Sequence, residues 1–326
     1  MAAKARSQTK PTPSVRRRFS MFAAALFAVM SAFTLGAAAI SVLGSAEDGA
    51  PRYTLRLTPG TPAYADDTGL DTDAGDEADA HTGLPDDPIS AFAAPVPPIN
   101  GRIRVAILVT GFGLSETQSR AAIAALPQGT TISFSPYARN VQALVDEARR
   151  RNIEVLLETA LEPFDYPDND PGPYTLLTGL SPAENEARLD WMLGRFRGFP
   201  GVVAVSGGRF LASPDAARPF LELLKARGLY FVDAASNQPA LVLRNADEIG
   251  VPAIARSVVL DEFLDASAVD GALARLGDHA QAEGTALGTT SLYPAMVSRL
   301  AAWSEGLEAR GLVLVPVSAL ARPAIN

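Results

Sequence analysis

From residue 102 onward, short apolar runs alternate with stretches whose apolar positions recur at helical spacing. The runs cover residues 103–109, 130–135, 153–157, 202–205, 229–232, 253–260, 285–288 and 312–317. Each is rich in Val, Ile, Leu or Phe with no polar face, the pattern of a parallel strand covered on both sides. Between them, residues 182–197 follow Ser181 with Glu184 three positions on, a capping box. Residues 214–227 follow Ser213 and stop at Gly228, and residues 291–310 stop at Gly311, where a helix commonly ends in a left-handed residue. Strand–helix alternation repeated seven or eight times predicts an α/β fold, a (β/α) barrel of seven to eight strands ahead of an open sheet.

The first hundred residues follow a different pattern. Residues 1–18 carry Lys4, Arg6, Lys10, Arg16, Arg17 and Arg18 and no acid, and residues 19–44 form an apolar run broken only by small or weakly polar side chains. A bilayer is spanned by about 20 apolar residues, whereas the apolar core of a cleaved signal peptide is about 7–15. The run is therefore expected to be a transmembrane signal anchor, with a small-residue cleavage site at Gly44-Ser45-Ala46 as the alternative. The cationic flank places residues 1–18 in the cytoplasm and all that follows Ser45 outside it, which in an envelope means the periplasm. Residues 45–100 carry Asp66, Asp67, Asp71, Asp73, Asp76 and Glu77 among scattered Gly and Pro, without periodicity. They read as a disordered acidic tether, stiffened at Pro95, Pro97 and Pro98, before a folded domain over 101–326.

Charge and composition narrow the chemistry. A net charge of −8 argues against a nucleic-acid partner. The chain has no cysteine and two histidines, His81 and His279, and neither lies at a predicted strand end. Zinc and most first-row metals take imidazole or thiolate ligands, so no metal site or cofactor of that kind is expected.

With the strands placed, the order of segments resembles the divergent polysaccharide deacetylase family, a branch of the NodB-like carbohydrate esterases. The resemblance covers nearly the whole domain. It rests on Val105-Ala106-Ile107-Leu108-Val109, Leu126-Pro127, Ile132 to Ala138 with its Ser135-Pro136-Tyr137-Ala138 ending, Glu154-Val155-Leu156-Leu157 and Leu161-Glu162-Pro163. Gly207-Gly208-Arg209-Phe210, Gly228 to Asp233, Arg256, Leu260-Asp261, Tyr293-Pro294 and Val315-Pro316-Val317-Ser318 follow in family order. The resemblance implies a NodB-like irregular barrel and a polysaccharide or peptidoglycan ligand. It also implies metal-dependent deacetylation, and here the sequence departs. The leading aspartate pair is Thr110-Gly111, the histidine after the third strand is Glu158, and a second histidine position is Val205. Ser257 and Gly288-Thr289-Thr290 replace an aspartate and a Gly-His-Pro turn.

The polar survivors at the strand ends are Glu158, Glu162, Arg209, Asp233, Arg256 and Asp261. Asp233, Asp261 and Glu158 are the candidates for chemistry; Arg256, Arg209 and Glu162 are the candidates for binding. Arg256 with Asp233 and Asp261 either holds a sugar hydroxyl or acetamido group, or bridges the two carboxylates to tie loops together. Glu158 with Asp233 suits a hard cation, but no complete ligand set accompanies them. Ser206 lacks the glycine two positions earlier that a nucleophile elbow requires, and no base accompanies it. Trp191 and Trp303 lie on helical patterns and are expected to pack. Three functions remain open: a degenerate envelope protein that binds glycan or a partner, an active deacetylase with a carboxylate site, and a structural interaction module.

Overall fold

The computed structural model describes residues 84–321. The anchor expected over 19–44, most of the tether, and His81 lie outside the described residues. Among the described residues no helix is long and apolar enough to cross a membrane.

The eight apolar runs all form strands, β1 (Ile103–Phe112), β2 (Thr131–Phe134), β3 (Glu154–Thr159), β4 (Gly201–Ala204), β5 (Tyr230–Asp233), β6 (Ala253–Ala255), β7 (Val258–Val259), β8 (Thr285–Ser291) and β9 (Leu312–Leu314). There are nine because the run over 253–260 is divided. All pair in parallel, in the order β6-β5-β4-β3-β2-β1-β8-β7, with β9 added beside the first residues of β1. The two ends of this curled sheet are the two halves of one segment. The Arg256 N–H donates to the Asp233 carbonyl at 2.9 Å, and the next N–H, of Ser257, donates to the Leu287 carbonyl at 2.8 Å. One stretch of chain thus serves β5 with its first half and β8 with its second, and this joins the edges of the sheet.

Helices cover the outside: α2 (Glu116–Ala125), α3 (Gln142–Arg150), α4 (Pro182–Leu193), α6 (Pro214–Ala226), α7 (Pro239–Ile249), α8 (Ala266–Glu283) and α9 (Pro294–Glu305), after a short α1 (Pro88–Phe92) and with a one-turn α5 (Gly208–Ala212). The capping box at Ser181 and Glu184 is present. Ser213 precedes α6 but makes no side-chain cap bond; Pro214 and Asp215 start that helix instead. Strand alternation divides the core in two. Val105, Ile107, Val109, Ile132, Val155, Leu157 and Phe231 face the helices. Ala106, Leu108, Leu156, Val203, Tyr230, Val232 and Leu287 face the interior, where Val317 and Ala321 of the C-terminal segment, which ends in α10 (Ser318–Ala321), join them. At about 25 cal/mol per Å² these two apolar layers supply most of the driving force for folding.

The base of the sheet, at the strand N-termini, is fastened by one buried acid. Glu154 accepts from the Thr131 hydroxyl at 3.2 Å, the Tyr230 hydroxyl at 2.9 Å and the Ser318 N–H at 3.0 Å through one oxygen, and from the Ala94 N–H at 3.2 Å through the other. Gly201 makes room for the Tyr230 ring, since a Cβ there would lie 2.6 Å from it.

Residues 84–100, which the sequence places in the tether, make contacts with the folded domain. Asp87 caps α1 by accepting from the Ser90 N–H at 2.9 Å, and Pro88 is buried against Gly228. Arg149 donates to the Phe92 carbonyl at 3.0 Å and stands over the Phe92 ring at 4.8 Å.

Candidate functional site

The strand C-termini open onto a mouth whose lining follows from the alternation. Ser133, Glu158, Val205 and Thr289 continue the inward series of Thr131, Leu156, Val203 and Leu287, and Arg256 continues that of Ile254.

Glu158, the penultimate residue of β3, is 8% exposed. Its Oε1 accepts from the Gly111 N–H at 2.6 Å and from the Ser133 hydroxyl at 2.8 Å. The pairing of β1 with β2 shifts register between Val109 and Phe112, and this bulge, with Gly111 at φ +86°, directs the amide toward β3. Burial pushes the Glu158 carboxyl up to about 7, against the lowering effect of its two donors.

Asp233 ends β5 but does not join Glu158. Tyr230 and Val232 point inward, so Phe231 and Asp233 fall on the other side. Asp233 is buried and accepts from the N–H groups of Ala235 at 3.1 Å and Ser236 at 2.8 Å, and from the Ser236 hydroxyl. It organises its own turn. Asp261 accepts from the Ser291 N–H at 2.7 Å and so ties the segment after β7 to the end of β8. Arg256 is half-buried, and among the described residues its side chain has no hydrogen-bond or ion-pair partner. The bridge from Arg256 to Asp233 and Asp261, one of the two alternatives for these three residues, is not formed: Asp233 is bonded within its own turn, and Asp261 accepts from a backbone amide.

Glu162 and Arg209 are brought together. Arg209 Nε lies 3.4 Å from Glu162 Oε1, while Glu162 Oε2 accepts from the N–H and hydroxyl of Thr178. The Phe210 N–H donates to the Glu162 carbonyl at 3.1 Å. Next to this pair, Phe164 is 62% exposed, an aromatic the sequence reading passed over. Its visible signal was an unpaired aromatic just after a strand, in a Pro-flanked loop. Trp191 instead stacks on Tyr174 at 3.7 Å and packs beside Tyr137, which braces the same loop from behind. Ser206 donates to the Leu161 carbonyl at 3.5 Å, and His279 is exposed on α8.

The resemblance implies a metal at this mouth, and the donors present do not fit one. Where ligands are implied stand Thr110, Gly111, Glu158 and Val205, and Glu158 spends one oxygen on Gly111 and Ser133. Among the described residues no three His, Cys, Asp or Glu side chains are grouped to hold an ion.

These strands form a parallel, curled α/β sheet with its mouth at the strand C-termini. Residues 107–321 match the sequence model of the divergent polysaccharide deacetylase family, and the chain belongs to that family. A protein from Agrobacterium tumefaciens C58, described as uncharacterized, has a crystal structure 35% identical in sequence with a TM-score of 0.69, covering 72% of this chain and 95% of that one. A protein from Enterococcus faecalis V583, named for cellobiose-phosphate cleavage, is 15% identical at a TM-score of 0.51 and covers 68% of this chain and 100% of that one; it shares the fold. An uncharacterized protein from Haemophilus influenzae Rd is 25% identical over 167 residues, which span 50% of this chain and 58% of that relative.

Proposed function

We propose that this chain is a membrane-tethered envelope protein that binds a glycan, peptidoglycan among them, through its strand-end mouth and does not carry out metal-dependent deacetylation. The observation that carries this reading is how the acids are used. Glu158 holds Gly111 and Ser133, Asp233 holds its own turn, and Asp261 holds Ser291, so these three carboxylates do not converge on one point. Amide hydrolysis in this lineage needs a Lewis acid, an activated water and a placed acid and base. Thr110, Gly111, Val205 and Thr289 supply none of these. Arg256, half-buried and unpartnered among the described residues, leaves donors for a sugar oxygen.

The test is acetate release from chitin oligomers and peptidoglycan fragments with Zn²⁺ or Co²⁺ added. We expect none above the uncatalysed rate, together with measurable saccharide binding. Acetate release that rises with metal and disappears in Asp233→Ala or Glu158→Gln overturns the reading. For the tether, reporter fusions after Asn100 are expected to be active only as extracytoplasmic enzymes, with the full-length chain in the membrane fraction. A soluble product beginning near Glu47 would leave an export signal and no anchor.

Glu158 favours a second reading, hydrolysis by a carboxylate site. Its pKa of about 7 suits a proton-transfer group at neutral pH, and its Oε1 is already fixed by two donors. This reading requires metal-independent acetate release with a pH profile that turns near 7 and is flat in Glu158→Gln.

A further inference from the structure

We infer that the loop after β3 and the turn after β4 form a pyranose-binding subsite, with Phe164 as its stacking face and the Arg209–Glu162 pair as its polar arm. The inference rests on the glycan-binding reading and locates one subsite within it. Among the described residues, every large exposed apolar side chain except Val96 stands after a strand C-terminus: Leu114, Phe164, Val205, Phe263, Leu264 and Tyr293. The mouth therefore has an apolar rim. Phe164 is the rim aromatic whose placement is built in from two sides.

The glycines of the facing turn set that placement. A Cβ on Gly208 would come within 2.8 Å of Phe164 Cε2, and one on Gly207 within 2.3 Å of Leu161 Cβ. The two loops therefore meet with only backbone between them, and the ring rests its edge on that backbone while most of the residue faces solvent. The Phe210 N–H on the Glu162 carbonyl and Arg209 Nε on Glu162 Oε1 lock them in register. Glu162 is buried, whereas the Arg209 side chain is half-exposed, and its Nη groups have no partner among the described residues.

A pyranose matches this combination. Its axial C–H face is apolar and weakly positive, which suits the negative face of an aromatic ring. Its hydroxyl or acetamido oxygens accept from a guanidinium in charge-assisted bonds. An apolar peptide or a second copy of the chain seated on Phe164 would cover Arg209 without accepting from it, at the cost of stranding charged donors.

The test uses the full-length chain in detergent and the β-1,4-linked tetramer of N-acetylglucosamine as probe, followed by calorimetry. Phe164→Ala is expected to weaken binding about tenfold, the upper range of one aromatic contact, with an unchanged melting midpoint. Gly208→Ala keeps the ring but displaces it, and is expected to lose affinity to a similar extent. Phe164→Trp should retain binding and shift its emission to the blue as the tetramer is added. Failure of the unmodified chain to bind the tetramer would overturn the glycan reading and the subsite together. Binding by the unmodified chain with Phe164→Ala and Gly208→Ala both within twofold of it would overturn the subsite alone. Self-association that Phe164→Ala abolishes, with tetramer affinity untouched, would reassign the rim to contact between copies.

Discussion

The carboxylate of Glu158 accepts the N–H of Gly111 at 2.6 Å, so the acid at the end of β3 stabilises the bulge at the end of β1. Both residues occupy positions where the resemblance implies catalytic groups. Here they satisfy one another, and the Ser133 hydroxyl completes the arrangement across the intervening strand.

That arrangement has a pH signature. The folded-state pKa of Glu158 lies near 7, above the ordinary 4.5, so between about pH 4.5 and 7 the folded chain holds a proton that the unfolded chain has released. Stability from this group therefore falls as pH rises through that interval and is constant above it, by at most about 3 kcal/mol. Glu158→Gln removes the titration. Its melting midpoint relative to the unmodified chain is expected to rise from pH 5 to pH 8; a difference independent of pH would show that Glu158 does not titrate near neutrality.

Four donors at the base of the sheet converge on the Glu154 carboxylate. Glu154→Ala leaves the Tyr230 and Thr131 hydroxyls and the Ser318 and Ala94 amides short of an acceptor, each costing about 1–3 kcal/mol where buried. A loss of several kcal/mol in urea denaturation is expected, against about 1 kcal/mol for Tyr230→Phe, which removes one bond. Equal losses for the two variants would mean that the network does not act through Glu154.

The segment from Leu84 to Asn100 belongs to the folded unit. A chain beginning at Leu84 is expected to melt higher than one beginning at Gly101, which loses the buried Pro88 and strands Arg149 without Phe92. Coincident melting curves would restore the later boundary.

Folding is expected to be indifferent to chelation. The carboxylates of Glu158, Asp233 and Asp261 are each engaged by backbone amides and do not converge, so EDTA or added Zn²⁺ should leave the melting midpoint unchanged. A shift of several degrees in either direction would identify a cation that this donor set holds.

Much of the architecture is legible along the chain because local rules decide it. Apolar runs covered on both sides mark all eight strand regions, and Ser181 with Glu184 marks the start of α4. Partner choice is not local. Nothing within residues 253–260 announces that Arg256 bonds toward β5 and Ser257 toward β8, because that depends on where the sheet's edges come to lie. The site was half legible for a similar reason. Proximity to a strand end nominated Asp233, but the period of two that turns Val232 inward turns Asp233 away. The same count, applied from Tyr230, would have separated it from Glu158. At the N-terminal edge the sequence held an unused signal: Asp87 followed by Pro88 is an N-cap followed by a proline at the first helical position.

Glu154 receives amides from near both ends of the described chain, Ala94 and Ser318, through its two oxygens. Entry and exit of the polypeptide are thus neighbours, and both lie on the side of the sheet opposite the mouth. The domain has the geometry of a plug-in module. A short linker joining the ends of the described chain and a new break in an exposed loop should give a circular permutant with the same curled sheet. A surface or carrier attached at either end should hold the molecule from behind, with the mouth turned toward whatever lies beyond.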